Sequence, residues 1–386
     1  MNEIYLDNSA TTRPFPEIID LMGRVQEETY GNPSSLHEKG VTAEQLLGKA
    51  RRSLAPFFRD REKEIIFTSG GTEANNLAVI GTALRNCRRG KHLITSAVEH
   101  PSVLNCFRFL EGQGFRVSYI PVDKNGTLDL DKLERTVDED TILVSIMHVN
   151  NEMGAVQPLQ EIGPVIKKRT PDALLHVDAV QSLAKLPLAV DLWQADLVSC
   201  SAHKIHGPRG IGCLWIREGT LLQPLLYGGD QERGLRPGTE NTPAIAGFGL
   251  IIRLMEEKLS KVEKSLMDLK LAFLEHLQDS GIHFFVNGPS PEKGAPHILN
   301  LSFPGLKAEV LLHSLEERGI YVSSGSACHS RRLEPSHVLT ALGLEREKLD
   351  SALRFSFSVE NTLAEVKEAA AVTAAAVREL AAFLKK

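Results

Sequence analysis

The sequence lacks an excess of charge of either sign, and it lacks a long apolar run. Its 386 residues include 44 lysines and arginines against 49 aspartates and glutamates, a net charge of -5. This balance gives no bulk attraction to nucleic acid or to an anionic membrane, so we expect neither as a partner. The apolar stretches are shorter than the ~18 residues of a membrane-spanning helix. The length and average composition indicate an ordered globular chain of two or three domains.

Paired cysteines are also missing. The five cysteines are scattered and include no Cys-x-x-Cys pair: Cys87, Cys106, Cys200, Cys213 and Cys328. This usage fits a reducing compartment and disfavours zinc-ribbon and dithiol redox motifs. The first residues, MNEIYLDNSATT, are acidic and polar where a secretory signal needs a basic start and an apolar run. We therefore expect a cytoplasmic protein without a targeting segment.

Seven short β-rich runs alternate with helical patterns over the first two thirds of the chain. They lie at 64–69, 92–96, 116–122, 141–149, 174–178, 196–201 and 212–216. Runs such as ILVSIMHV are apolar on both faces of the pleat, which is typical of central strands covered by helices on both sides. The pattern predicts an α/β fold with a mostly parallel sheet.

The pattern changes in the last third of the chain. Apolar residues recur at helical spacing from about Leu250 to Leu277, which predicts one long amphipathic helix. Short strands mixed with helices follow, among them HILNLSF and LRFSFS. A second, smaller α+β domain is therefore predicted to begin near residue 259.

A glycine pair joins the first predicted strand to a helix in the stretch FTSGGTEANN. Backbone N–H groups of Gly70 and Gly71, the helix dipole and the Thr72 hydroxyl could together hold a phosphate. The alternative is a tight turn followed by an ordinary helix cap. The spacing matches neither of the two common nucleotide-binding glycine motifs.

Two further strands end on residues that could carry chemistry. Asp178 and Gln181 close the run LLHVDAVQ, where Asp178 is either a buried carboxylate with a cationic partner or a helix cap. Lys204 follows the run DLVSCS, and a partly desolvated lysine there can form a Schiff base. A phosphate cradle, a carboxylate and a lysine on successive strand ends are the parts that hold pyridoxal phosphate. His203 and His206 lack further ligands at metal spacing, so we predict no metal site.

The C-terminal third adds two candidates. Cys328 lies in the Ser/Gly-rich stretch VSSGSACHSRR, whose basic residues favour a thiolate, although an incidental loop cysteine is the alternative. Arg354 lies in a strand and could bind a carboxylate through two hydrogen bonds, unless it is an ordinary surface arginine. His100 and Asn150 also follow predicted strands, and each is weak evidence alone.

Taken together, these stretches resemble the cysteine desulfurases of the NifS/IscS type, within the class V aminotransferase superfamily. The resemblance covers nearly the whole chain in a common order: YLDNSATT, YGNPSSLH, TSGGTEANN, VEH, VNNEMG, HVDAVQ, SAHKIHGP, GGDQERGLRPGTENTP, SSGSACHS and RFSFS. It implies a pyridoxal phosphate (PLP) enzyme of fold type I, with a seven-stranded, mostly parallel sheet in the large domain. Residues 15–258 would form that domain, and 1–14 with 259–386 the smaller one carrying the cysteine loop. The enzyme would be a homodimer with active sites at the subunit interface.

The resemblance also implies a role for each candidate residue. Lys204 would carry the cofactor as a Schiff base, Asp178 would pair with its ring nitrogen, and Gln181 would bind its phenolic oxygen. His100 would stack on the ring and help to shuttle protons, and Asn150 would contact both cofactor and substrate. The phosphate would be held by Gly71, Thr72, Ser201 and His203, joined by Thr239 from the partner subunit.

In the implied reaction Arg354 binds the carboxylate of L-cysteine, and Cys328 attacks the sulfur, leaving alanine and a Cys328 persulfide. The sulfur would pass to an acceptor protein, such as an iron–sulfur scaffold or a tRNA-thiolation enzyme. Asp230 and His329 depart from the pattern and leave acceptor or substrate preference open. Selenocysteine lyase is the nearest alternative, and a sulfur carrier without turnover or an ordinary transaminase are more distant ones.

Overall fold

The computed structural model describes residues 3–59, 61–256, 259–324 and 335–384. The strands in these ranges are β1 (Ile4–Tyr5), β2 (Ile65–Thr68), β3 (His92–Ser96), β4 (Arg116–Ile120), β5 (Thr141–Met147), β6 (Leu174–Asp178), β7 (Leu197–Ser201), β8 (Gly212–Ile216), β9 (Phe285–Val286), β10 (Ile298–Ser302), β11 (Ile320–Tyr321), β12 (Ser323–Ser324) and β13 (Ala352–Ser356). The α-helices are α1 (Pro16–Glu28), α2 (Glu38–Leu54), α3 (Gly71–Asn86), α4 (Pro101–Gly112), α5 (Leu130–Thr136), α6 (Leu159–Arg169), α7 (Thr242–Glu256), α8 (Leu259–Asp279), α9 (Ala308–Glu316), α10 (His337–Ala341), α11 (Arg346–Asp350) and α12 (Leu363–Leu384).

Strands β2 to β8 form one seven-stranded sheet in the order β2-β8-β7-β6-β5-β3-β4. Strand β8 is antiparallel to both of its neighbours, and all other neighbouring pairs are parallel. Six strands therefore run in one direction, which confirms the prediction of a mostly parallel α/β sheet. The sheet places the carboxyl ends of β2, β3, β5, β6 and β7 along one edge, where α/β folds bind ligands.

Apolar runs explain why the central strands lie inside the sheet. Every residue of β5, β7 and β8 is buried, so these strands are covered on both faces. Helix α3 packs against β5, β7 and β8, and helix α7 packs against α1 and α2. None of the helices in the described ranges combines the length and hydropathy that a membrane span requires.

The C-terminal part contains a second sheet of four antiparallel strands in the order β12-β13-β10-β9, packed with α8, α9 and α12. This agrees with the predicted α+β character. The prediction of one helix from about 250 to 277 is wrong, because residues 250–256 end α7 and α8 begins separately at Leu259. Helix α7 packs with α1 and α2, whereas α8 packs with α12, so the two helices belong to different surroundings.

One continuous apolar cluster spans both sheets. It includes Val177 and Val198 of the large sheet together with Leu301 and Phe355 of the small one. The two parts of the chain therefore share a core, as tight packing between them requires. The domain limits at residues 14/15 and 258/259 stay a prediction.

The N-terminal segment, residues 7–12, connects the two sheets through hydrogen bonds. Asn8 Nδ2 donates to the carbonyl of Ser356 at 2.9 Å, and the Ser9 N–H donates to Ser356 Oγ at 2.9 Å. Thr12 donates through its N–H and its hydroxyl to the carbonyl of His203, both at 2.9 Å. Just before the segment, β1 pairs in parallel with β11. Residues 7–12 thus lie between β13 and the turn after β7.

Gly163 in α6 marks a place where the packing of the large sheet admits no side chain. A Cβ atom there would lie 1.8 Å from the carbonyl oxygen of Trp193. We expect Gly163→Ala to lower the free energy of unfolding by about 3 kcal/mol, since backbone has to move. Gly23→Ala in α1 is the control, because its Cβ would meet nothing within 4 Å, and we expect a gain of about 0.5 to 1 kcal/mol. Urea unfolding measures both, and equal effects would contradict the prediction.

Candidate functional site

A cavity of about 620 Å³ lies at the carboxyl edge of the large sheet, between that edge, the N-terminal segment and β13. Most of the residues that the sequence singled out line it: Gly71, Thr72, His100, Asp178, Gln181, Ser201, His203, Lys204 and Arg354. They come from five stretches of the chain that are far apart in sequence. The fold therefore brings the predicted phosphate cradle, carboxylate, lysine and arginine to one place.

The glycine pair after β2 forms an open backbone turn at the start of α3. Gly70 has a φ of 155°, a value that side chains disfavour. A Cβ on Gly71 would lie 2.6 Å from Val180 Cγ2, so the close approach also requires glycine. Ser201 Oγ lines the same cavity, is buried and has no hydrogen-bond partner among the described residues. A helix N-terminus with an unsatisfied hydroxyl beside it is suited to hold an anion.

Glu73 supports this turn from within the first turn of α3. Its carboxylate accepts the N–H of Ser69 at 2.7 Å and Nε of Arg236 at 3.0 Å. Burial alone would raise the pKa of Glu73, but these bonds to Ser69 and Arg236 outweigh it and lower the pKa below its usual value. The ionised Glu73 therefore fixes the backbone that leads into the glycine pair.

Asp178 ends β6 as a buried carboxylate. Its Oδ1 accepts the N–H of Val180 at 3.0 Å, and its Oδ2 accepts Nδ2 of Asn75 at 2.8 Å. Both donors are neutral, so the negative charge is hydrogen-bonded but not neutralised by them. A buried carboxylate of this kind favours a cationic group in the cavity, such as a protonated ring nitrogen.

Lys204 lies in the short turn that follows β7. Its Nζ donates to the carbonyls of Ser9 at 2.6 Å and of Ala10 at 2.7 Å. Gln181 Nε2 donates to the same Ser9 carbonyl at 2.9 Å. The N-terminal segment thus holds the lysine amine and the glutamine amide on one wall of the cavity.

His203 lies beside Lys204, and its Nδ1 is 3.1 Å from Thr11 Oγ1. Burial, reinforced by Lys204, lowers the pKa of His203 to about 4, so this histidine is neutral near pH 7. His206 Nδ1 donates instead to the carbonyl of Arg13 at 2.8 Å. The two histidines have different partners, and among the described residues no group of three or more His, Cys, Asp or Glu side chains could hold a metal ion.

Arg354 extends from β13 into the same cavity and is buried. Its Nη1 donates to the carbonyl of Asn151 at 2.8 Å, and its Nη2 donates to Asp7 Oδ1 at 2.7 Å. Its Nε is buried and has no acceptor within the described ranges. The guanidinium is therefore fixed in place and still has donors for a carboxylate.

Two predicted residues in the described ranges, Asn150 and Thr239, do not join this group. Asn150 is buried away from the cavity wall, and its amide binds the carbonyl of Val98 and the N–H groups of Glu152 and Met153. Its predicted contact with cofactor and substrate is therefore not supported, and the next residue, Asn151, lies on the wall instead. Thr239 is exposed and does not line the cavity. Cys328 lies outside the described residues.

The structure adds residues that sequence reasoning missed: Asn75, Ser102, Asn151, Glu152 and His337 line the cavity. Glu152 accepts a hydrogen bond from Ser336 Oγ at 2.5 Å, and burial raises the pKa of Glu152 to about 7. His337 Nε2 donates to the carbonyl of Glu99 at 3.0 Å. The acidic residue in VNNEMG was the available signal for Glu152, because a carboxylate next to a predicted strand end needs a partner.

The chain belongs to the class-V aminotransferase family, whose model matches residues 4–368. It is 43% identical over 381 residues to the "Putative cysteine desulfurase IscS 1" of Bacillus subtilis (strain 168), covering 98% of this chain and 100% of that protein. A solved structure described as "NIFS-LIKE PROTEIN" is 37% identical, covers 99% of this chain and 100% of its own, and superimposes with a TM-score of 0.91. A second, "SspA in complex with cysteine", is 34% identical, covers 93% of this chain and 99% of its own, with a TM-score of 0.82.

Glu99, next to His100, is a buried acid whose charge the fold disfavours. Its Oε1 accepts Ser96 Oγ at 2.7 Å and the N–H of Met147 at 2.8 Å, and Oε2 has no partner among the described residues. Burial raises the pKa of Glu99 from 4.5 to about 8. Between these values the folded protein keeps a proton that the unfolded chain loses, so the free energy of unfolding falls as the pH rises.

We expect Glu99→Gln to remove this part of the pH dependence, since the amide keeps the Oε1 acceptor and does not ionise. The difference in unfolding free energy between the wild type and the variant should shift by roughly 3 to 5 kcal/mol between pH 5 and 8. Urea midpoints across this range measure it. Glu368→Gln, on the exposed face of α12, is the control, and parallel curves for Glu99→Gln and the wild type would contradict the prediction.

Proposed function

We propose that this protein is a PLP-dependent cysteine desulfurase, which removes the sulfur of L-cysteine and releases L-alanine. The observation that carries the proposal is the cavity that joins Lys204, Asp178, the Gly70–Gly71 turn and Arg354. A lysine, a buried carboxylate and an anion cradle are the three requirements of the cofactor. Arg354 adds the group that an amino-acid substrate requires. The name of the relative in Bacillus subtilis and the cysteine complex of SspA support the choice of substrate.

The residues that line the cavity fit PLP, because they include hydrogen-bonding groups that the cofactor would use. Among the described residues the buried hydroxyl of Ser201 lacks a partner, and Gly71 lets the backbone approach Val180 more closely than a Cβ would allow. The N-terminus of α3 and the neutral His203 supply donors to a phosphate. We therefore assign Gly71, Thr72, Ser201 and His203 to the phosphate, Asp178 to the ring nitrogen and Gln181 to the phenolic oxygen.

When bound, the cofactor supplies an electron-accepting ring that stabilises negative charge at the substrate Cα. Asp178 would hold the proton on the ring nitrogen, because a buried carboxylate and that positive charge stabilise each other. Arg354 orients the substrate through its carboxylate. Lys204 Nζ, on the cavity wall beside Ser9, is the group placed to take the Cα proton.

The sulfur step depends on Cys328, whose role stays a prediction from the sequence. Its thiolate attacks the substrate sulfur, an S–S bond forms, and the bond between the substrate Cβ and its sulfur breaks. The electron pair of that bond stays on Cβ, which takes up a proton, so that alanine is released and Cys328 keeps a persulfide. We further propose that an iron–sulfur scaffold or a tRNA-thiolation enzyme accepts this sulfur.

We also propose that the enzyme is a homodimer in the cytoplasm. Large apolar side chains are exposed near the segment that carries Thr239, with Tyr30 72%, Leu36 99% and Tyr227 77% exposed. One cleft connects the two stretches of chain that carry these side chains. It is lined by Pro33 and Ser34 from the first stretch and by residues 230–233 from the second. A second copy of the chain would cover these side chains, and Thr239 would then reach the partner's phosphate site. Cys106, Cys200 and Cys213 are buried free thiols, as in a reducing compartment.

The first test is turnover with L-cysteine. The purified, PLP-loaded protein with L-cysteine and a thiol reductant should release equal amounts of alanine and sulfide. Mass spectrometry of the protein without reductant should detect the persulfide on Cys328. We expect Lys204→Ala and Cys328→Ala each to lower the rate at least ~1000-fold, because the first lacks the base and the second the nucleophile.

Lys124→Ala, at an exposed turn remote from the cavity, is the control and should keep the wild-type rate. Full activity of Cys328→Ala would exclude desulfuration through this thiol. Release of alanine from L-selenocysteine but not from L-cysteine would instead assign the protein as a selenocysteine lyase.

A change at Arg354 tests substrate binding and leaves Lys204 and Cys328, the proposed base and nucleophile, in place. We expect Arg354→Lys to raise KM for L-cysteine about 10- to 100-fold with a smaller change in kcat, since one ammonium cannot bind Asn151, Asp7 and a carboxylate together. Steady-state kinetics measure the split. An unchanged KM would show that the carboxylate binds elsewhere.

A further inference from the structure

A chain of hydrogen bonds joins the Asp178 carboxylate to the ring of His100, which also lines the cavity. Asn75 Nδ2 donates one proton to Asp178 Oδ2 at 2.8 Å and the other to Ser102 Oγ at 2.9 Å. Ser102 Oγ lies 2.8 Å from His100 Nδ1. The orientation of the Asn75 amide is fixed, because turning it would bring its oxygen against the carboxylate.

The direction of each bond follows from the number of protons available. Ser102 Oγ already accepts from Asn75, so its own proton is free to point to His100 Nδ1. The N–H of Ser102 also donates to the same nitrogen, at 3.1 Å. Nδ1 thus receives two donors and has no room for a proton of its own. The proton of the neutral ring must lie on Nε2.

The surroundings also disfavour a second proton on this ring. His100 is the N-cap of α4, and its Nδ1 caps the Ser102 N–H, so protonation would break the cap and add positive charge at the positive end of a 12-residue helix. Burial lowers the pKa of His100; Lys204 and His337 lower it further, and Asp178 opposes them. A neutral histidine at a helix N-terminus acts through its N–H donor.

We propose that Ser102, held by Asn75, is a positioning residue that fixes His100 as the neutral ring with its proton on Nε2. His100 then offers the substrate a hydrogen-bond donor and does not take up the substrate's proton. Lys204 remains as the base. The proposal deepens the proposed function and rests on it for the identity of the substrate, but the state of the ring can be measured independently.

Nitrogen-15 NMR of histidine-labelled, PLP-loaded enzyme tests the proposal, with His100→Gln used to assign the signal. We expect one protonated nitrogen, Nε2, and one bare nitrogen, Nδ1, at neutral pH and above. Ser102→Thr keeps the hydroxyl and the N–H, so its spectrum should match the wild type. Ser102→Asp replaces the donor by an acceptor, and the ring should then carry protons on both nitrogens at neutral pH.

The kinetic readout separates positioning from structure. We expect kcat to fall at least ~10-fold in Ser102→Asp and to stay within about threefold in Ser102→Thr. A proton on Nδ1 in the wild type, or an unchanged ring in Ser102→Asp, would overturn the proposal. Failure of the wild type to turn over L-cysteine would overturn the proposed function instead, and the NMR result would still decide the state of His100.

Discussion

The structure depends on one constraint: residues 7–12 lie between the two sheets, and their backbone N–H and carbonyl groups need hydrogen-bond partners there. Asn8 and Ser9 bind Ser356 on one side, and Thr12 binds His203 on the other. The carbonyls of Ser9 and Ala10 are left facing the cavity, where they accept from Lys204. The same short segment therefore joins the sheets and fixes the amine of Lys204.

The cavity contains groups that favour ligand atoms of opposite charge, and these groups lie on different parts of its wall. The Gly70–Gly71 turn lies at the N-terminus of α3, and the ionised Glu73 binds the backbone N–H of Ser69 next to it. Two neutral donors hold the Asp178 carboxylate at the end of β6, and Arg354 faces the cavity from the second sheet. Each group is held by backbone or by a neighbouring side chain before any ligand arrives, so binding requires little rearrangement.

Sequence reasoning predicted the strands well, because buried strands are apolar runs bounded by turns: β3, β6 and β8 have the predicted limits. It failed for the helix over 250–277, since periodicity does not detect where one helix ends and another of the same character begins. It also selected Asn150 and not Asn151 as the cavity residue. The two adjacent asparagines are alike in sequence, and only the conformation of the turn after β5 shows which of them lines the cavity. The role of residues 7–12 was not predictable from side chains, because backbone carbonyls have no signature in the sequence.

The pairing of the N-terminal segment with β13 has a consequence for synthesis. Asn8 and Ser356 are 348 residues apart, so their contact cannot form until almost the whole chain has left the ribosome. Closing so large a loop costs more conformational entropy than forming the helices and the central strands. The contact is therefore expected to form more slowly than they do. Arg354, in the same strand as Ser356, therefore acquires its bond to Asp7 late. The large sheet is thus synthesised well before the cavity wall that carries Arg354 can be added to it.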